Sequence, residues 1–223
     1  MLTGTNPRAN LEVVTDLSSL REEYARGGLV ESDLTASPFV LFQRWYDEAG
    51  QLYEPNAMVV ATVDPDGPPS ARFVLLKGFS EEGFVFYTNL ASRKGRALAA
   101  EPKAALLFPW HPLERQVRVE GVASTLPEDA VASYFSSRPR GSQLGAWAPH
   151  QSTVVDGRDE LAAAYDEVSA RFEGAEVPVP EEWGGYLVRA ESIEFWQGRP
   201  GRMHDRLVSR REGGAWRTER LAP

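Results

Sequence analysis

The chain has 223 residues, 42% hydrophobic and 10% aromatic, enough to bury a sizeable core, so it reads as a globular protein. It contains no cysteine, which excludes disulfides, thiolate nucleophiles and iron–sulfur clusters, and His111, His150 and His204 lack metal-ligand spacing, so no metal is expected. A net charge of −8 argues against nucleic-acid binding, and no apolar run approaches the ~18 residues of a membrane span, so a cytoplasmic location is expected.

Residues 1–50 read as a helical N-terminal segment. Thr15 or Asp16 can cap a helix through Leu20, Glu23 and Tyr24, which Gly27-Gly28 would end. Ser37-Pro38 marks the start of a second helix, in which Phe39, Phe42, Trp45 and Tyr46 recur at helical spacing up to Gly50. From Asn56 the texture changes to short β-rich runs, AMVVATVD, ARFVLLKGF and GFVFYTNL, joined by turns at Asp66-Gly67 and Glu81-Glu82-Gly83. A short helix fits Ser92 to Ala100, followed by strands AALLFPW and ERQVRVEGVAST and helices near 127–137 and 158–172. After an extended, proline-bearing connection over 174–182, the runs GGYLVRAESIEFWQ, RMHDRLVSR and AWRTERL close the chain as strands, the last two turning at Gly213-Gly214. Hairpin-linked strands with helices inserted irregularly predict one mainly β domain over 1–223, an antiparallel barrel with flanking helices.

Cations cluster in this acidic chain, and local cationic sites suit small anions better than polymers. Ser92 can cap a helix whose first residues, Arg93 and Lys94, face the positive end of its macrodipole; a bound anion would resolve that conflict, and a solvated surface helix is the alternative. Arg72 and Lys77 bracket an apolar strand and lie on opposite faces of it, so each serves a different anion or reaches into water from the strand end. Gln116 carries an amide that can both donate and accept, as the edge of a heteroaromatic ring requires, or it is an outward strand residue. Tyr134, Arg138 and Ser142 gather a phenol, a guanidinium and a hydroxyl around a proline-terminated helix, a donor set suited to a phosphate ester or to a plain helix end. Arg202, His204 and Arg206, at i, i+2 and i+4, would share one strand face, either beneath an electron-rich group or along a charged edge. Trp196, just before them, can flank a flat ring or pack in the core.

The segments RFVLLK (72–77), FYTNLASRK (86–94), LLFPWHPLERQV (106–117), YFSSRPRGSQLGAW (134–147), FWQG (195–198), RMHDR (202–206) and RLAP (220–223) closely resemble, in order, the pyridoxine/pyridoxamine 5'-phosphate oxidase family. The resemblance runs from about Leu20 to Pro223. It implies an FMN-binding split β-barrel, a homodimer with FMN at the subunit interface, and oxidation of pyridoxine 5'-phosphate and pyridoxamine 5'-phosphate by O2 to pyridoxal 5'-phosphate with release of H2O2. Carried over residue by residue, it implies FMN contacts from Arg72, Lys77, Tyr87, Thr88, Arg93, Lys94, Gln116, Gln151, Ser152, Trp196 and Arg206. Lys77, Tyr134, Arg138 and Ser142 match the substrate-phosphate site, while Arg202 and His204 match the pair that orients the pyridine ring. Arg21 and Tyr24 match a segment covering the active site. Glu54 stands where the family pattern has aspartate, so the carboxylate is kept with a reach one methylene longer.

Overall fold

A computed structural model of the protein describes residues 23–65, 67–148 and 150–223. The N-terminal helix expected through Tyr24 does not extend into them: residues 23–30 run without helix or strand, and Arg21 lies outside the described residues. The reason is visible in the contacts. The amides of Ala25, Arg26 and Leu29 bond to the carboxylates of Glu114 and Asp205 instead of to carbonyls one helical turn back.

Helix α1 (Pro38–Ala49) begins as its sequence requires, with the Ser37 hydroxyl accepting the Phe39 amide and proline at the first helical position. Its apolar stripe of Phe39, Leu41, Phe42 and Trp45 is buried. Phe42 lies 4.7–4.9 Å, ring centre to ring centre, from Phe79, Phe84 and Phe108. Burying a side chain of this kind contributes about 1.5–3 kcal/mol, so this aromatic cluster fixes α1 on the sheet.

Among the described residues nine strands, all paired antiparallel, form the sheet: β1 (Ala57–Val63), β2 (Pro69–Leu75), β3 (Gly78–Ser80), β4 (Gly83–Asn89), β5 (Lys103–Phe108), β6 (Arg115–Thr125), β7 (Trp183–Gln197), β8 (Asp205–Glu212) and β9 (Ala215–Arg220). The order β2-β1-β5-β6-β7-β4-β3 has one branch, because β7 is 15 residues long and serves three neighbours. Its first half pairs with β4 and its second half with β8, while β6 runs along its other edge with a register shift at Glu120/Gly121. A bulge of this kind bends a strand and raises its twist, which suits the branching of the sheet into a split barrel. Alternation sends Met58, Val60, Leu106, Phe108, Val117, Val119, Ile193 and Phe195 inward to a common core.

Helix α2 (Arg93–Ala100) follows β4 directly, and a Cβ placed on Gly95 would lie 2.0 Å from the Leu90 carbonyl oxygen, so glycine alone lets its first turn pack on the strand end. Helices α3 (Glu128–Ser137), α4 (Arg140–Trp147) and α5 (Arg158–Arg171) lie between β6 and β7 in sequence. Phe135, Leu144, Phe172 and Val177 bind this region into a second, smaller core. Helix α3 matches the helix expected near 127–137 and ends before Pro139, whereas α4 beyond Pro139 was not among the expected elements. Among the described residues no helix is long and apolar enough to cross a membrane.

Candidate functional site

Strand β2, the end of β4, the start of α2 and the α3–α4 corner enclose a cavity of about 860 Å³. Of the residues singled out from the sequence, Arg72, Lys77, Tyr87, Thr88, Lys94, Gln151 and Ser152 line it, and so do Tyr134, Arg138 and Ser142. Two sets that are distant in sequence thus share one space. Asn89, Ser137 and Trp183 line it too, without having been singled out. Asn89 lies within the quoted FYTNL run, whereas Trp183 follows a proline-rich connection and carries no local signal of its own.

The start of α2 is organised around Ser92. Its hydroxyl accepts the Gly95 amide as the helix cap and also the Lys94 ammonium at 3.1 Å, while Lys94 donates to Gln151 Oε1 at 2.8 Å. Burial, helped by the charge of Arg72, pushes the Lys94 pKa down to about 8. Burial likewise lowers Arg72, with Arg93 adding to the effect and Asp64 opposing it. Arg72 is held by Thr62 Oγ1 at 2.8 Å, the Val60 carbonyl at 3.2 Å and Ser70. The neighbouring Arg93 side chain turns away to Asp64 at 2.6 Å and does not line the cavity, but its backbone amide donates to Ser152 Oγ at 3.2 Å.

On the opposite wall, the Tyr87 and Tyr134 rings stack with centres 3.9 Å apart, and Lys77 Nζ sits 5.9 Å over Tyr134. Burial and then Tyr134 raise the Tyr87 pKa, so its hydroxyl stays protonated. The Arg138 guanidinium lies over the Trp183 ring at 4.1 Å, a cation–π contact that fixes its plane, and burial lowers its pKa. Among the described residues, four buried side-chain polar atoms lack a hydrogen-bond partner, and three of them, Asn89 Oδ1, Arg138 Nη1 and Trp183 Nε1, belong to cavity-lining residues. An unmet guanidinium donor on Arg138 beside an unmet Trp183 N–H, among other partly buried cations, suits an anionic ligand, so the residues present fit a phosphorylated group.

The remaining expected residues form a separate patch. Gln116, Trp196 and Arg206 stand side by side across β6, β7 and β8. Trp196 packs against His204 at 4.7 Å and Tyr24 at 5.7 Å. Arg202, His204 and Arg206 do not share one strand face as expected: β8 starts only at Asp205, and Arg202 and His204 belong to the turn before it, with left-handed backbone at Gly201 and Arg202. The Arg199 amide donates to His204 Nδ1 at 3.1 Å, so a neutral His204 carries its proton on Nε2. Arg206 is locked to the buried Glu194 at 2.8 Å, which also holds Arg118 at 2.8 Å. None of these patch residues lines the cavity of its own chain. Glu54 stands on the exposed turn before β1 with φ +46, apart from both regions.

Residues 47–172 match the family described as Pyridoxamine 5'-phosphate oxidase, and residues 183–223 match the Pyridoxine 5'-phosphate oxidase C-terminal dimerisation region. A pyridoxine/pyridoxamine 5'-phosphate oxidase from Nocardioides sp. is 62% identical over 210 residues, 93% of this chain and 98% of that protein. Its counterpart from Rubrobacter xylanophilus is 58% identical over 93% of this chain and 97% of its own length. Among solved structures, PhzG from Burkholderia lata, in complex with tetrahydrophenazine-1-carboxylic acid, superposes with a TM-score of 0.81 at 31% identity, covering 86% of this chain and 95% of PhzG. A pyridoxamine 5'-phosphate oxidase-related, FMN-binding protein from Nostoc punctiforme, at 16% identity, covers 85% of this chain and 100% of its own, and shares the fold with a TM-score of 0.69.

Proposed function

The chain belongs to the pyridoxine/pyridoxamine 5'-phosphate oxidase family, and from that premise we propose how its two residue groups divide the work. The reaction is the oxidation of pyridoxine 5'-phosphate and pyridoxamine 5'-phosphate to pyridoxal 5'-phosphate, with O2 reduced to H2O2. FMN is the cofactor and the chain works as a homodimer. When bound, FMN supplies the two-electron acceptor for the substrate's 4' carbon.

The protein's part is position and electrostatics. Lys94, with the capped start of α2 and the neighbouring Arg72, Gln151 and Ser152, would hold the cofactor's phosphate, and Arg93 would turn from Asp64 to join them. Lys77, Tyr134, Arg138 and Ser142 would hold the substrate's phosphate. What supports this reading is that both donor sets line one cavity, where Arg138 Nη1 and Trp183 Nε1 are buried donors left unpaired. Gln116, Trp196 and Arg206 would meet the flavin, with Tyr87 and Thr88 on the cavity side. Arg202 and the Nε2–H of His204 would orient the pyridine ring, beneath Tyr24. Because the patch and cavity of one chain do not meet, the patch of one subunit would complete the cavity of its partner. Fixing both rings and both phosphates makes the transfer nearly unimolecular. Glu54 has no role in this arrangement as it stands. We place the enzyme in the cytoplasm, with residues 1–223 as one domain.

Purified protein should show a flavin spectrum at one FMN per chain and should form pyridoxal 5'-phosphate and H2O2 from each substrate under air. FMN retention with neither product would overturn the reading.

A further inference from the structure

Glu114 ends the connection from β5 to β6 with φ +55, a left-handed backbone that favours glycine or asparagine. A glutamate held there against backbone preference has a side chain in use. Its carboxylate accepts the amides of Arg26 at 2.8 Å and Ala25 at 3.3 Å. Its own carbonyl accepts the Gly198 amide at 2.7 Å and Gln197 Nε2 at 3.2 Å. One residue thereby ties the N-terminal segment to the end of β7, from which the turn carrying Arg202 and His204 departs.

Tyr24, next to those two amides, packs directly on Gly198. A Cβ at position 198 would come within 2.7 Å of Tyr24 Cγ, so the ring occupies the space a side chain would take. From this socket Tyr24 meets Trp196 and His204 edge-on, each at 5.7 Å. The segment beyond Gly27 is fastened separately: Asp205 accepts the Leu29 amide at 3.1 Å, and Arg220 bonds the Leu29 carbonyl at 2.9 Å and Glu31 at 2.6 Å. Releasing Glu114 therefore frees the part that carries Tyr24 and leaves 29–31 in place.

We propose that Glu114 is a positioning residue of the oxidase reaction, a catch that seats Tyr24 in the Gly198 socket against Trp196 and His204. This rests on the role given above to the Arg202–His204 turn. Two features make it testable: the catch consists of charge-assisted hydrogen bonds to two identifiable amides, and it acts only through Tyr24.

Glu114→Gly suits the local backbone, so the FMN-loaded dimer should melt no lower than the wild type. Hydrogen exchange at Ala25 and Arg26 should nevertheless speed up by about tenfold or more, as expected for loss of a charge-assisted bond, with Leu29 unchanged. Glu114→Gln, which keeps an acceptor without the charge, should fall between and serves if the glycine variant folds poorly. In steady-state turnover of pyridoxine 5'-phosphate, Glu114→Gly should raise KM and lower kcat. Tyr24→Ala added to it should then cost no more than Tyr24→Ala alone. Unchanged exchange at residues 25–26, or strictly additive kinetic effects, would overturn the catch. A wild type that forms no pyridoxal 5'-phosphate would instead fail the functional reading, while the exchange experiment would still decide the catch.

Discussion

The cavity and the patch on β6–β8 are both rich in arginine, yet their electrostatic states are opposite. In the cavity, burial lowers the pKa values of Arg72, Lys94 and Arg138, and Arg138 keeps an unpaired buried nitrogen. In and around the patch, Glu194 raises the pKa of Arg206, and Glu31 with Asp205 raises that of Arg220. The Glu31 carboxyl in turn falls to about 2, chiefly through its hydrogen bond from Arg220. Cations already matched by carboxylates are scaffolding that fixes geometry. Cations left unmatched and partly buried mark where a ligand must bring the negative charge.

The sharpest way to break this contrast is to remove a carboxylate from the matched side. Glu194→Ala leaves Arg118 and Arg206 without their shared partner and should lower unfolding stability by about 3 kcal/mol, the low end for a broken buried pair because both guanidiniums keep some access to water. Denaturant titration measures this, and a loss below ~1 kcal/mol would make the pair ordinary surface chemistry. Arg202→Ala tests the patch as an orienting surface: turnover should fall about a hundredfold with FMN retained, and unchanged turnover at saturating substrate would remove Arg202 from the chemistry. Lys94→Met tests the unmatched side, with an expected loss in FMN affinity of about tenfold by titration.

The smallest effect is a dependence on pH. In the folded, cofactor-free protein Lys94 titrates near 8, below its ordinary 10.5, so between those values the unfolded chain binds more protons and stability rises with pH. A phosphate at α2 would hold Lys94 charged and flatten or invert that slope. Stability curves with and without FMN, in wild type and Lys94→Met, should show it; a slope indifferent to FMN would detach Lys94 from the cofactor.

Much of the fold was legible because local rules and burial agree. Alternation in AMVVATVD and the Ser37-Pro38 cap give β1 and α1 almost to the residue, and Ser92 caps α2 as its sequence suggests. Other parts were not legible, since tertiary partners decide them. Helix α4 contains Gly141 and Gly145 and has little helical preference; packing of Leu144 and Trp147 with Phe135 and Phe172 holds it. The division of β7 between β4 and β8 has no local trace. In RMHDR, polar alternation reads as strand, but a left-handed backbone at Gly201 and Arg202 ends that pattern before β8 begins. Most candidate residues lie within long motifs, whereas their separation into a cavity and a patch follows from the tertiary fold alone. Glu114 and Asp205, which fasten the N-terminal segment, lay inside quoted motifs without any signal of that task.

Arg220 joins positions at opposite ends of the chain: its guanidinium reaches Glu31 across 189 residues of sequence and Asp205 across 15. Contacts of such separation cannot form early, because the intervening chain must first be ordered. During synthesis the Arg220 bonds to Leu29 and Glu31 cannot form until β9 has emerged and paired. A protein cut short before β9 would therefore keep the Glu114 and Asp205 ties of its N-terminal segment and lose only those that Arg220 makes to Leu29 and Glu31.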